Sequence, residues 1–193
     1  MNGVFVMDTV ETSSERALAH EALAHHEQPR EVLVGGLGLG FTLAELLQDP
    51  RVERVSVVER DSAVIGWMRD GTVPHGPALL ADPRVQLYER DVADLVRESL
   101  AAFDLILLDV DNGPDNLVHL DNAALYQPAL IAACRAALRP AGSLVVWSAA
   151  HCPVLHDTLT AEFGDAIATS YEVDLQGRAE HYWLHSARVA SRS

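Results

Sequence analysis

The residues of this sequence best placed to do chemistry are Gly35, Gly36, Gly38, Gly40, Glu59, Asp109 and Asp111. The run Val32-Leu33-Val34-Gly35-Gly36-Leu37-Gly38-Leu39-Gly40 is an apolar strand breaking into a glycine-rich turn, and Val55-Ser56-Val57-Val58-Glu59 is a second strand ending in a carboxylate. Glycines let a backbone approach a ligand closely, and an acid about twenty positions further on can accept hydrogen bonds from both hydroxyls of a ribose. That reading is a nucleoside site; the alternative is a tight strand-to-helix turn followed by an exposed strand-end acid. Asp109 closes the apolar run Phe103-Asp104-Leu105-Ile106-Leu107-Leu108 and so points into the crevice where open α/β sheets bind ligands. The alternative for Asp109 and Asp111 is a pair of turn-forming acids ahead of Asn112-Gly113-Pro114.

Spacing narrows the nucleoside. In a Gly-x-Gly-x-x-Gly fingerprint the third glycine would fall on Phe41 or Leu43, and no Lys-Ser or Lys-Thr follows the loop, so neither a dinucleotide nor a phosphate-cradling site is indicated. A glycine turn with a ribose-binding acid and no phosphate pattern fits S-adenosylmethionine or a relative.

These residues need a scaffold that brings strand ends together. Apolar strand-like runs near 31–35, 54–59, 85–89, 104–109 and 143–148 alternate with helical stretches at 40–48, 61–69, 91–100, 122–138 and 153–163. That alternation predicts a Rossmann-like doubly wound α/β sheet, mostly parallel. Two closing strands, 166–173 and 180–188, joined around Gln176-Gly177-Arg178, add an antiparallel C-terminal strand. Gly71 to Pro83 reads as an irregular connection, and Arg139-Pro140-Ala141-Gly142 as the stop of the fourth-to-fifth-strand helix. Before the sheet, Gly3 to Met7 forms a candidate short strand, and Ser13 or Ser14 a candidate cap for a helix through about His26. The organisation expected is an N-terminal segment, 1–30, and a nucleoside-binding domain, 31–193.

At 193 residues the chain is long enough for one domain burying roughly 70% of its unfolded surface. No apolar run reaches about eighteen residues, so no transmembrane helix is expected. A net charge of −14 opposes binding to nucleic acid or an anionic membrane and favours a cationic small molecule. Two cysteines far apart, with no signal peptide, indicate a cytoplasmic setting. His25-His26 and His151-Cys152 with His156 contain ligand types without a complete zinc spacing, so no metal is expected. Ser148 lacks the context of a hydrolase nucleophile.

Taken in order, the motifs resemble those of the spermidine synthases, the polyamine aminopropyltransferases. Ala19-His20-Glu21-Ala22-Leu23 is similar to the family's Tyr-His-Glu-Met-Leu helix, Gly35 to Gly40 to its glycine loop, and Val58-Glu59-Arg60-Asp61 to its second strand end. Leu107-Leu108-Asp109-Val110-Asp111-Asn112-Gly113-Pro114 is similar to its acidic segment, and Leu138-Arg139-Pro140-Ala141-Gly142 to the turn before its fifth strand.

The resemblance implies a transferase that uses decarboxylated S-adenosylmethionine or S-adenosylmethionine and passes an aminopropyl group to a cationic, polyamine-like amine. Asp109 is then the carboxylate that takes the proton from the attacking nitrogen. His20, Glu21 and Asp111 are implied for substrate, while Asp91 and Val92, after the third strand, are implied for the adenine. Asp91 suits a helix N-cap equally well, and Asp61 is a cap for the helix after Glu59. The family also implies a possible homodimer, and residues 1–30 match the end of its N-terminal region. Two departures bear on the chemistry. Ala19 replaces the tyrosine, and Gly38 or Leu39 stands where the glycine loop of the family carries an aspartate. A carboxylate there would attract the terminal ammonium of the decarboxylated nucleoside and repel the carboxylate of the ordinary one. Its absence raises the alternatives of a small-molecule methyltransferase on the same pocket and of a non-catalytic nucleoside-binding homologue.

Overall fold

The computed structural model describes residues 12–24, 26–109, 127–175 and 178–191. Helix α1 (Ser13–Ala24) precedes strand β1 (Glu31–Gly35), and α2 (Phe41–Leu46) links it to β2 (Arg54–Glu59). Helices α3 (Ser62–Asp70) and α4 (Gly76–Leu80) lead to β3 (Val85–Glu89), and α5 (Val92–Glu98) to β4 (Phe103–Leu108). Then come α6 (Pro128–Ala137), β5 (Leu138–Ser148), α7 (Pro153–Phe163), β6 (Ala166–Leu175) and β7 (Arg178–Arg188). The sheet has seven strands in the order β3-β2-β1-β4-β5-β7-β6. Strands β1 to β5 pair in parallel and β7 lies antiparallel between β5 and β6, as the alternating pattern predicts. Strand order reverses between β1 and β4, and a crevice therefore opens beyond their carboxyl ends.

Both faces of the sheet are covered, and the strand period of two sorts the core. Val32, Val34, Leu105, Leu107, Val145 and Trp147 face α1, α2 and α3, where they meet Leu18, Leu43 and Ile65. Their neighbours Leu33, Ile106, Leu108, Leu144 and Val146 face α5, α6 and α7, where they meet Val96, Ile131 and Leu155. Strand β4 is buried along its whole length, which is why it reads as a continuous apolar run broken only by Asp104.

Two expectations shift, at 71–83 and at the start of β5. The stretch from Gly71 to Pro83 contains α4, opened by Pro77 in its first turn, so it is not wholly irregular. Helix α1 spans Ser13–Ala24, ending close to the expected position. Helix α6 spans Pro128–Ala137, with residues 122–126 outside the described set. Strand β5 begins at Leu138 rather than 143, because Leu138 pairs with Phe103 before the register slips at Ala141, which has φ 66°. The expected strand from Gly3 to Met7 lies outside the described residues.

Candidate functional site

The glycine loop leaves β1 at the switch point. Gly36, Gly38 and Gly40 all have positive φ, at 92°, 48° and 82°, a conformation that L side chains rarely adopt. At Gly35 the requirement is space: a Cβ there would lie 2.9 Å from both Leu108 and Val92 side chains. The loop is held from below by Glu59, whose Oε2 accepts the Leu37 N–H at 3.0 Å while Oε1 accepts the Asp61 N–H at 2.8 Å. A carboxylate that spends one lone pair of each oxygen on backbone keeps others for a ligand's hydroxyls. On the outer side the His75 ring donates to the Leu39 carbonyl at 2.7 Å and packs against Phe41.

Asp61 and Asp91 play matching roles one strand apart. Each N-caps a helix through its Oδ1, Asp61 taking the Ala63 N–H of α3 and Asp91 the Ala93 N–H of α5, both at 2.8 Å. Asp91 is thus a cap, exposed on one side, and the buried Val92 beside it packs against Gly35. Glu59, Asp91 and Val92 therefore stand on neighbouring strand ends that flank the glycine loop.

Asp109 follows the last residue of β4, its N–H donating to the Gly35 carbonyl at 2.8 Å. Asp109 is half-buried, and desolvation of its carboxyl, reinforced by the Glu15 charge on α1, raises its pKa from the ordinary carboxylate range to about 7. Among the described residues one hydroxyl opposes that shift: Thr42 Oγ1 lies 3.5 Å from Asp109 Oδ2 and donates to the Glu15 carbonyl at 3.1 Å. The site thus holds a carboxyl that can carry or release a proton near neutrality.

Helix α1 closes the face of the sheet on the Asp109 side, but its polar residues are engaged. The His20 ring meets Glu45 Oε1 at 2.7 Å, and the Arg16 guanidinium meets Glu45 Oε2 at 2.8 Å while lying 5.5 Å above the Phe41 ring. Burial pushes the Glu45 carboxyl up, yet hydrogen bonds from Arg16 and His20 outweigh it and hold the group below its ordinary value. His20 is directed at α2 and clamps α1 to it. Glu21 instead accepts a hydrogen bond from the Tyr171 hydroxyl of β6 at 3.3 Å. Nearby, Trp147 at the end of β5 is buried against Tyr182, ring centroids 4.9 Å apart.

Asp111 lies outside the described residues. Among the described residues no group of three His, Cys, Asp or Glu side chains is arranged to hold a metal ion. The same residues contain no helix long and apolar enough to cross a membrane.

Residues 11–173 match the spermine/spermidine synthase domain. The chain belongs to the spermine/spermidine synthase family. Polyamine aminopropyltransferase 2 of Pseudomonas aeruginosa is 30% identical over 142 residues, covering 69% of this chain and 39% of that protein. Putrescine N-methyltransferase 3 of Nicotiana tabacum is 34% identical over 128 residues, covering 65% of this chain and 32% of that protein. The chain therefore spans well under half the length of these two relatives. A spermidine synthase solved in complex with the transition-state analogue AdoDATO has a TM-score of 0.79 and 23% identity, covering 92% of this chain and 61% of that one. That likeness shows the fold.

Within this spermine/spermidine synthase fold, the residues that sequence reasoning passes over are Thr42, Glu15 and the Arg16–Glu45 pair. Thr42 had a weak signal, a polar residue in the apolar stretch after the glycine loop, and it is only 5% exposed. Glu15 had none, since its influence on Asp109 arises from the docking of α1.

Proposed function

We propose that this family member transfers an aminopropyl group from decarboxylated S-adenosylmethionine to a cationic, polyamine-like amine, at the carboxyl edge of β1, β2 and β4. The observation that carries the reading is the Asp109 carboxyl, set at the switch point beside the glycine loop and poised near neutrality. Glu59 would grip the ribose, and Asp91 and Val92 would border the adenine. Asp109 would draw the substrate's ammonium into place and accept the proton it loses. The nitrogen lone pair then forms the new bond to carbon, the carbon–sulfur bond breaks, and the sulfonium leaves as a neutral thioether, methylthioadenosine. A cation beside Asp109 favours its ionised form, so substrate binding itself prepares the proton acceptor. The chain's net charge of −14 supports a cationic acceptor. Asp111, His20 and Glu21 are the family-implied substrate groups. Of these, His20 and Glu21 would have to exchange their present partners, Glu45 and Tyr171, to serve.

A second reading, N-methylation with ordinary S-adenosylmethionine, is favoured by Gly38 and Leu39, which leave the glycine loop without a carboxylate to repel that nucleoside. The putrescine N-methyltransferase relative supports it as well. Product analysis after incubation with putrescine or spermidine and each nucleoside separates the two. Methylthioadenosine formed from the decarboxylated donor supports aminopropyl transfer, and S-adenosylhomocysteine formed from the ordinary donor replaces it with methylation. Tight binding of both nucleosides without either product would reject both and leave a binding protein.

A further inference from the structure

The hydroxyl of Thr42 stands between two acceptors, the main-chain carbonyl of Glu15 at 3.1 Å and Asp109 Oδ2 at 3.5 Å. It has one proton to give and can accept in return. Thr42 is only 5% exposed, so water has little access to relieve a poor arrangement there. When Asp109 is neutral, its acid proton can point to Thr42 Oγ1 while the Thr42 proton points to Glu15, and both protons have an acceptor. When Asp109 is ionised the chain must reverse at one joint. The Thr42 proton then turns to the carboxylate, and the Glu15 carbonyl, lying within α1, falls back on its helical donor.

We propose that Thr42 is a positioning residue whose hydroxyl swings from the Glu15 carbonyl to the Asp109 carboxylate as that group ionises, and so sets how readily Asp109 holds the proton leaving the amine. The proposal rests on the reading of Asp109 as proton acceptor. A hydrogen bond to an anion is roughly twice as strong as one between neutral groups, so the hydroxyl favours the ionised form on balance. It works against burial and against the Glu15 side-chain charge, which faces Asp109 from α1. From α2 Asp109 meets Thr42 itself, and from β1 the Gly35 carbonyl, which takes the Asp109 backbone N–H and leaves the carboxyl untouched. Helix α1 thereby acts on the site twice, through the charge of Glu15 and through a carbonyl that competes for the Thr42 proton.

The test is a carbon-13 NMR titration of the Asp109 carboxyl in the ligand-free protein, its resonance identified by loss in Asp109→Asn. Thr42→Val keeps the shape of the side chain and removes the hydroxyl, and is expected to move the Asp109 titration upward by about one pH unit. Thr42→Ser is expected to titrate with the parent. The acid limb of the kcat/KM profile, for whichever transfer is observed, should move with the valine variant and return with serine. If valine disturbs folding, Thr42→Ala is titrated in its place. An unmoved midpoint in the valine or alanine variant, or a serine variant that shifts with them, overturns the proposal. The titration needs no turnover, so a shifted midpoint in a protein that transfers nothing would refute the proposed function while leaving the role of Thr42 intact.

Discussion

An aspartate stands near each end of strand β4, and their surroundings differ. Asp104, at the amino end, is 7% exposed and surrounded by donors: Oδ2 accepts the N–H groups of Arg30 and Glu31 at 3.0 and 2.8 Å, and the Arg139 guanidinium lies 3.2 Å from both carboxylate oxygens. Asp109, at the carboxyl end, has a hydroxyl at 3.5 Å and a like charge on α1. The first arrangement satisfies a charge and ties three segments together. Among the described residues, the second leaves a charge under-compensated and makes the proton easy to keep, which costs stability.

The largest expected effect falls on turnover. Asp109→Asn should lower kcat for the transfer by about 10²- to 10⁴-fold, the range of a lost general base, measured by product formation. The same substitution should stabilise the fold above neutrality. A carboxyl whose pKa rises on folding favours the native state fully below its unfolded value of 3.8, and that contribution is lost as pH climbs to about 7. Removing the group should recover up to about 4 kcal/mol at pH 8, read from denaturant unfolding against the parent. A variant no more stable at pH 8 than the parent would place Asp109 among satisfied carboxylates, like Asp104.

Asp104→Ala should do the reverse, losing about 3 kcal/mol of stability because two amides and a guanidinium lose their acceptor. Nucleoside affinity by calorimetry should stay within a few-fold, since Asp104 lies at the far edge of the sheet. A further ionisable group sharpens the contrast. His185 in β7 is fully buried, and neither ring nitrogen has a hydrogen-bond partner among the described residues. Burial, with His151 and His156 nearby, lowers its pKa to about 4. The unfolded chain therefore takes up a proton below about 6.5 that the folded one refuses, so stability is full above that pH and falls towards pH 4. His185→Phe should flatten that decline by about 3 kcal/mol in unfolding measured from pH 7 to pH 4, and an unchanged slope would assign the acid sensitivity to other groups. The smallest effect is at Glu59. Its replacement by alanine should weaken binding of S-adenosylmethionine or its decarboxylated form by about 2 kcal/mol, seen by calorimetry; unchanged affinity would move the ribose elsewhere.

Much of this was legible in the chain. The glycines at the end of β1, Glu59 at the end of β2 and Asp109 at the end of β4 announce themselves by apolar runs that stop at polar or glycine positions, a signal carried by adjacent residues. The helix capped by Asp61 is of the same kind. The helix within 71–83 was not legible, because its prolines and glycines read as a loop although Pro77 opens a helix. Nor was the contact of His20 with Glu45, 25 residues away, which the docking of α1 on α2 creates.

Sequence alone determined the parallel sheet, its two apolar faces and the strand ends on which a ligand site could be built, since residue alternation and turn chemistry act over a few neighbouring positions. Tertiary structure decided the state of the groups at those ends. Thr42 reaches Asp109 across 67 residues, and Asp104 gathers Arg30 and Glu31 across 74 and 73. The charge a buried acid carries depends on what solvates it once water is gone, and those partners are chosen by packing between distant segments.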